Sequence, residues 1–193
     1  GGAPAAGVIV VLAAVPVGDD PHRTLQLAQL AGLHDFAGLG KQGIGALIEH
    51  EGRGYLFTAN SGTGKSTHTE KWCRLFGATY LNDDKPALRL VDGKWMAYGT
   101  PWSGKNDLSS PMGVPLAGIA FLKRGDENRI FPMPPEQAVP QLMNQSLRRL
   151  NLDAMQTQLT LLDELIRQIP IWELTCRNDD DAAIVAHNMM TRG

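Results

Sequence analysis

One stretch constrains this chain more than any other. Residues 55–77, "YLFTANSGTGKSTHTEKWCRLFG", pass from an apolar strand pattern through a glycine-rich turn into a helical pattern that ends at glycine. Strand, glycine-rich turn and helix in that order are the context of a phosphate-binding loop. Gly62 and Gly64 let the backbone take positive φ and come close to a ligand. The amide N–H groups then converge as an anion cradle at the start of the helix. Lys65 is placed to put a positive charge on β- and γ-phosphates, and the Ser66 hydroxyl is placed to ligate Mg²⁺. The strict pattern begins with glycine, and this chain has Ala59 in that slot.

The rest of the sequence fits one α/β domain. The chain has 193 residues, 43% of them hydrophobic, which is enough interior for a single core without disulfides. Strand patterns are expected at 8–15, 44–49, 55–58, 79–81, 117–122 and 171–175. A hairpin of 87–91 with 94–98 turns at Asp92-Gly93. Helices are expected after Asp20-Pro21, over 65–76, near 135–147 and 151–168, and after Asp179–Asp181, whose carboxylates suit a first helical turn. Residues 1–40 read as an accessory segment before a core spanning 44–190. Pro132 to Pro135 reads as a stiff joint.

The formal charge of −2 gives no sequence-wide reason to expect nucleic acid as a partner. The apolar run at 8–15 is too short to span a bilayer. Cys73 and Cys176 form no CxxC and read as reduced, buried thiols of a cytoplasmic protein. No His/Cys cluster has zinc spacing. Trp72, Trp95 and Trp172 read as core.

An apolar strand at Tyr80-Leu81 ends in Asn82-Asp83-Asp84. Beside a phosphate loop, one carboxylate can hold Mg²⁺ and the other can take a proton from an attacking hydroxyl. His68, in the first turn of the helix, either faces a ligand or packs. The turn-rich block 99–105 carries Trp102, Ser103 and Lys105, a set suited to clamping a phosphate or an acceptor; Lys105 is the candidate catalytic group. Arg124 and Arg129 flank Gly125–Asn128, and either can stabilise γ-phosphate charge or stack on a base.

Ser-Gly-Thr-Gly-Lys-Ser followed by a strand-terminal Asp-Asp resembles the HPr kinase/phosphorylase and phosphoenolpyruvate carboxykinase superfamily. The blocks "YLFTANSGTGKSTHTEKW", "NDDKPALR", "YGTPWSGK" and "FLKRGDENRI" look like the small HPr-kinase-related proteins of Gram-positive bacteria. The resemblance covers about residues 44–190. It implies a P-loop nucleotide-binding core of the carboxykinase C-terminal type, a mixed sheet flanked by helices. It also implies that Ser61, Gly62, Thr63, Gly64, Lys65, Ser66 and Thr67 hold ATP phosphates, that Asp83 is the base and that Asp84, with Ser66, is the metal ligand. Arg129 is a candidate contact to the nucleotide. Members often carry histidine where this chain has Ile44. The chain lacks room for the carboxykinase substrate lobe, and the protein-substrate signature of HPr kinases is not recognisable, so neither of those acceptors is implied.

The expected function is ATP- and Mg²⁺-dependent phosphoryl transfer to an unidentified hydroxyl of a small molecule, an amino acid such as serine, or a protein. The alternative is an eroded ATP/ADP-binding regulatory module, suggested by Ile44 and Ala59. No nucleic acid or membrane partner is expected, and a homo-oligomer stays open.

Overall fold

The computed structural model describes residues 9–11, 45–60, 62–84, 86–99, 113–145 and 152–192. Its strands are β1 (Ile9–Val11), β2 (Gly45–His50), β3 (Arg53–Thr58), β4 (Thr79–Asn82), β5 (Ala87–Val91), β6 (Lys94–Tyr98), β7 (Gly113–Arg124), β8 (Arg129–Pro132) and β9 (Ile171–Cys176). Its helices are α1 (Lys65–Phe76), α2 (Pro135–Gln145), α3 (Leu152–Gln168) and α4 (Asp180–Met190). The result is a mixed α/β fold in which one mixed sheet is flanked by helices.

The long strand β7 organises the sheet. Along one side it pairs parallel with β3, from Gly54↔Leu116 to Thr58↔Phe121. Along the other it changes partner. Gly113–Pro115 pair antiparallel with β6, and Ile119–Arg124 pair parallel with β9. The burial of β7 changes with its partners. Exposed and buried residues alternate over 113–116, whereas 118–122 are continuously buried because helices cover both faces there. Sequence patterning finds only this second part. Pro115 is tolerated because it closes the β6 ladder just before β3 pairing begins at Leu116.

Alternation along β2 and β3 supplies two cores. Leu47 and Leu56 face a layer that includes Leu142 of α2 and Leu162 and Leu165 of α3. Ile48, Tyr55 and Phe57 face the opposite layer, with Trp72 of α1 and Ala183, Ala186 and Met190 of α4. All three tryptophans expected in the core are buried.

Several local expectations hold. The helix from Lys65 ends at Gly77, the Asp92-Gly93 hairpin forms, and Asp179 caps α4 by accepting from the Ala182 N–H at 3.0 Å. Others are corrected. Phe131 and Pro132, the latter read as part of the joint, belong to β8, which pairs with β9. His50 is the last residue of β2 rather than part of the turn. Cys73 and Cys176 are unpaired but only half-buried; burial holds both thiols above their ordinary pKa. The expected first helix, Ile44, Ser61, Asn151 at the head of the helix expected over 151–168, and the 100–112 block that contains Lys105 lie outside the described residues.

Candidate functional site

The carboxyl ends of β3, β7 and β9, which run parallel, lie along one edge of the sheet. That edge is where open α/β sheets usually place ligands. β4 pairs antiparallel with β2, and β2 antiparallel with β3, so β4 ends at this edge as well. The topology therefore brings the glycine loop after β3 and the Asp83-Asp84 pair after β4 to the same side.

The loop is shaped by its glycines. Gly62 has φ +79° and Gly64, just before α1, has φ +111°, conformations closed to most residues. Ala59 is different. The only described non-glycine residues with positive φ are Glu51 and Asp92, so alanine sits at the head of the loop without left-handed strain. Its methyl group is buried in the core beneath α1. Its carbonyl accepts from Lys65 Nζ at 3.0 Å. Burial lowers the Lys65 pKa, and the nearby Asp84 carboxylate opposes that drop. Lys65 thus links loop and acidic pair electrostatically. The carbonyl of Gly64 accepts from His68 N–H at 2.9 Å, which starts α1 directly after the loop.

The acidic strand end is rigid. Fully buried Asn82 accepts the Asp84 N–H on its side-chain oxygen at 3.1 Å, and the Asp84 carbonyl accepts from Gly45 N–H at 3.1 Å. Asp83 is buried, whereas Asp84 is half-buried. Tyr80 ties the same strand to the helix start, donating to the Ser66 carbonyl at 3.0 Å and lying 2.5 Å from the Thr69 hydroxyl. Burial pushes its phenol up to about 12, and the Asp83 charge acts in the same direction.

Between the loop and the ends of β7 and β9 lies a cleft of about 340 Å³. Thr63, Gly64 and His68 form one wall, and Arg124, Arg177 and Asn178 form another. The Arg124 guanidinium donates to the Gly62 carbonyl and, more weakly at 3.4 Å, to that of Thr63. Asn128 fixes the far wall by donating to Asp179 at 2.8 Å and accepting from Arg177 N–H at 2.8 Å. Lys71 Nζ donates to the Asn178 side-chain oxygen at 3.1 Å. His68 is packed in the core and also borders the cleft. It packs on Phe57 and accepts from Trp72 Nε1 at 3.2 Å. Burial takes its pKa down to about 4.

Of the expected site residues, Gly62, Thr63, Gly64, Lys65, Asp83 and Asp84 share this edge. Ser66 is exposed in the first turn of α1, and Thr67 is half-buried next to it. Arg129 is elsewhere: it pairs with Glu127 and borders a groove between β8 and α4. Arg124 takes the place by the loop. Sequence reasoning admits both arginines but names Arg129 as the nucleotide contact; the two lie opposite neighbouring residues of β9, Arg124 on β7 and Arg129 on β8 at the other flank of β9. Tyr80 and Asn82 lie in the acidic strand and Asn128 in the 125–128 turn, but sequence assigns none of them a role, and Arg177 belongs to no motif.

No family model and no curated protein matches the sequence. Among solved structures, the chain is similar to the Hpr(Ser) kinase/phosphatase from Coxiella burnetii, with a TM-score of 0.43 and 12% identity. The match covers 77% of this chain and 95% of that one. A likeness this weak carries no argument about fold or activity. No described helix is long and apolar enough to cross a membrane.

Proposed function

We propose that the glycine-loop edge binds Mg-ATP and transfers its γ-phosphoryl group to the hydroxyl of a small-molecule or protein acceptor. One observation carries this reading. Lys65, at the start of α1, donates to the Ala59 carbonyl at the head of the glycine loop, and the Asp84 charge acts on it. A cation there meets polyphosphate on one side and the metal-binding acid on the other.

The donor set fits a magnesium ion held jointly with phosphate. Ser66 and Asp84 would hold it, leaving its other positions to phosphate oxygens and water. When bound, the ion supplies charge neutralisation at the β- and γ-oxygens. The loop amides and Lys65 hold the phosphates in line. Asp83 accepts the acceptor's hydroxyl proton as the new O–P bond forms and the bridging bond to ADP breaks. Arg124, by donating to the Gly62 and Thr63 carbonyls, would hold the loop backbone in place while its amides meet the anion. The unstrained Ala59 favours a working loop over the eroded module.

Calorimetry of Mg-ATP with the parent chain and Lys65→Ala tests the binding step. We expect a loss on the order of 100-fold, because a charge-assisted contact and its alignment go together. Equal affinities would remove the phosphate-loop reading. An acceptor screen with γ-labelled ATP, set beside ADP release without acceptor, then separates a kinase from a nucleotide sensor.

A further inference from the structure

The opposite edge of the sheet carries a second cluster of chemistry. His50 pairs with Arg53 at the start of β3, the end of that strand remote from the glycine loop. There His50 Nε2 and His187 Nε2 of α4 face each other at 3.1 Å. The histidines lie 137 residues apart in sequence, so spacing could not reveal the pair. Phe76 stacks on the His187 ring at 3.9 Å, and Trp72 lies 5.1 Å from it, ring centre to ring centre. These aromatic rings wall the imidazoles on the α1 side. Glu51, 82% exposed in the adjoining turn, has a carboxylate oxygen 4.0 Å from His50 Nε2.

We infer that His50 and His187 form a binding site for a borderline divalent transition ion such as Zn²⁺ or Ni²⁺, with Glu51 turning in as third ligand and water completing the shell. Metal–imidazole bonds of about 2.0–2.1 Å put two neighbouring nitrogens about 3.0–3.4 Å apart around one ion, which is the separation found here. A direct N–H···N bond accounts for this contact in one combination of tautomers; with both Nε2 atoms unprotonated, their two lone pairs face a common point that a metal ion can occupy. Neutral imidazole is the ligand form. Two imidazoles and a carboxylate suit zinc and nickel, whereas magnesium prefers all-oxygen shells. No group of three or more His, Cys, Asp or Glu is already assembled for a metal among the described residues. The site therefore has two fixed ligands and one that must move. Bound metal would fasten the end of β2 to α4. This assignment does not rest on the nucleotide function proposed for the glycine loop.

The test uses the full chain, stripped with chelator and held in excess Mg²⁺ without nucleotide. Titration with ZnCl₂ or NiCl₂ should show one site of micromolar affinity and a raised melting temperature. Ni²⁺ should also quench fluorescence, with Trp72 as the near reporter. His50→Gln and His187→Gln should each weaken Zn²⁺ at least about tenfold, and Glu51→Gln by less. Mg-ATP binding should not change in Glu51→Gln. Co²⁺ substitution of the unmutated chain is the check that needs no variant. It should give visible d–d bands without a thiolate charge-transfer band. No zinc or nickel binding, binding untouched by either histidine substitution, or a thiolate band pointing to Cys73 or Cys176 would each overturn the assignment.

Discussion

The two ends of the parallel strands are built from different materials. At the carboxyl ends, main-chain groups do most of the work: loop carbonyls receive Lys65 and Arg124, and glycines with positive φ set the direction of the amides. At the amino ends, the cluster consists of side chains alone, two imidazoles against Trp72 and Phe76. A backbone site fixes charge in one place and tolerates changes in most of its side chains. A side-chain site can be lost through any one of its members. Trp72 belongs to both ends, since its N–H reaches His68 while its ring lies beside His187.

The largest effect that can break this contrast is chemical. Asp83→Asn should bind Mg-ATP nearly as the parent does, yet lose on the order of 10²–10⁴ in turnover once an acceptor is in hand. Asp84→Asn should instead weaken Mg-ATP. Parent-like binding and transfer by both variants would remove the Asp83-Asp84 pair from the chemistry. Next comes Trp72→Ala, which should cost about 3–5 kcal/mol in a urea titration by opening a cavity beneath α1. If the two ends are linked through this ring, the variant should also weaken both nucleotide and zinc. Loss at one end alone would mean that they are independent.

Acid should act on the loop end. The His68 pKa is about 4 in the folded chain, against an ordinary value of 6.5. The unfolded chain therefore takes up the proton first as pH falls. The stability tied to neutral His68 is complete above pH 6.5 and drains away down to about 4, by at most about 3 kcal/mol. Chemical denaturation of parent and His68→Gln at pH 7.5 and 4.5 measures it, and the variant should show the shallower pH dependence. The smallest effect is that of Arg124→Gln. Loss of the clasp on the loop carbonyls should weaken Mg-ATP by about 1 kcal/mol with little change in melting temperature. Arg129→Gln, whose guanidinium pairs with Glu127, should leave affinity unchanged.

The same contrast explains what could be seen in the sequence. Gly62, Gly64, Lys65 and the Asp83-Asp84 pair declare themselves because backbone conformation and strand ends leave local marks. The Asp92-Gly93 turn and the Asp179 cap are legible for the same reason. Tyr80, Asn128 and Arg177 acquire their positions from pairing between distant strands, and the same pairing is what sets Arg124 apart from Arg129. The His50–His187 contact is the extreme case. β8 was missed because a four-residue strand beside prolines carries too little pattern, and the first part of β7 because proline argues against a strand unless its ladders are known.

The exchange of partners along β7 has a kinetic side. Its parallel neighbours come from residues 54–58 and 171–176, so the pairings that create the cleft close very long loops. Such non-local contacts form slowly. A chain still being synthesised can fold the Asp92-Gly93 hairpin early, but the wall formed by Cys176, Arg177 and Asn178 has to wait for β9. Until Ile171 onward has emerged and docked, the continuously apolar half of β7 has one flank without its partner. An unpaired apolar strand flank of this kind is a template for association with other chains, and it is the step at which a chaperone would matter most.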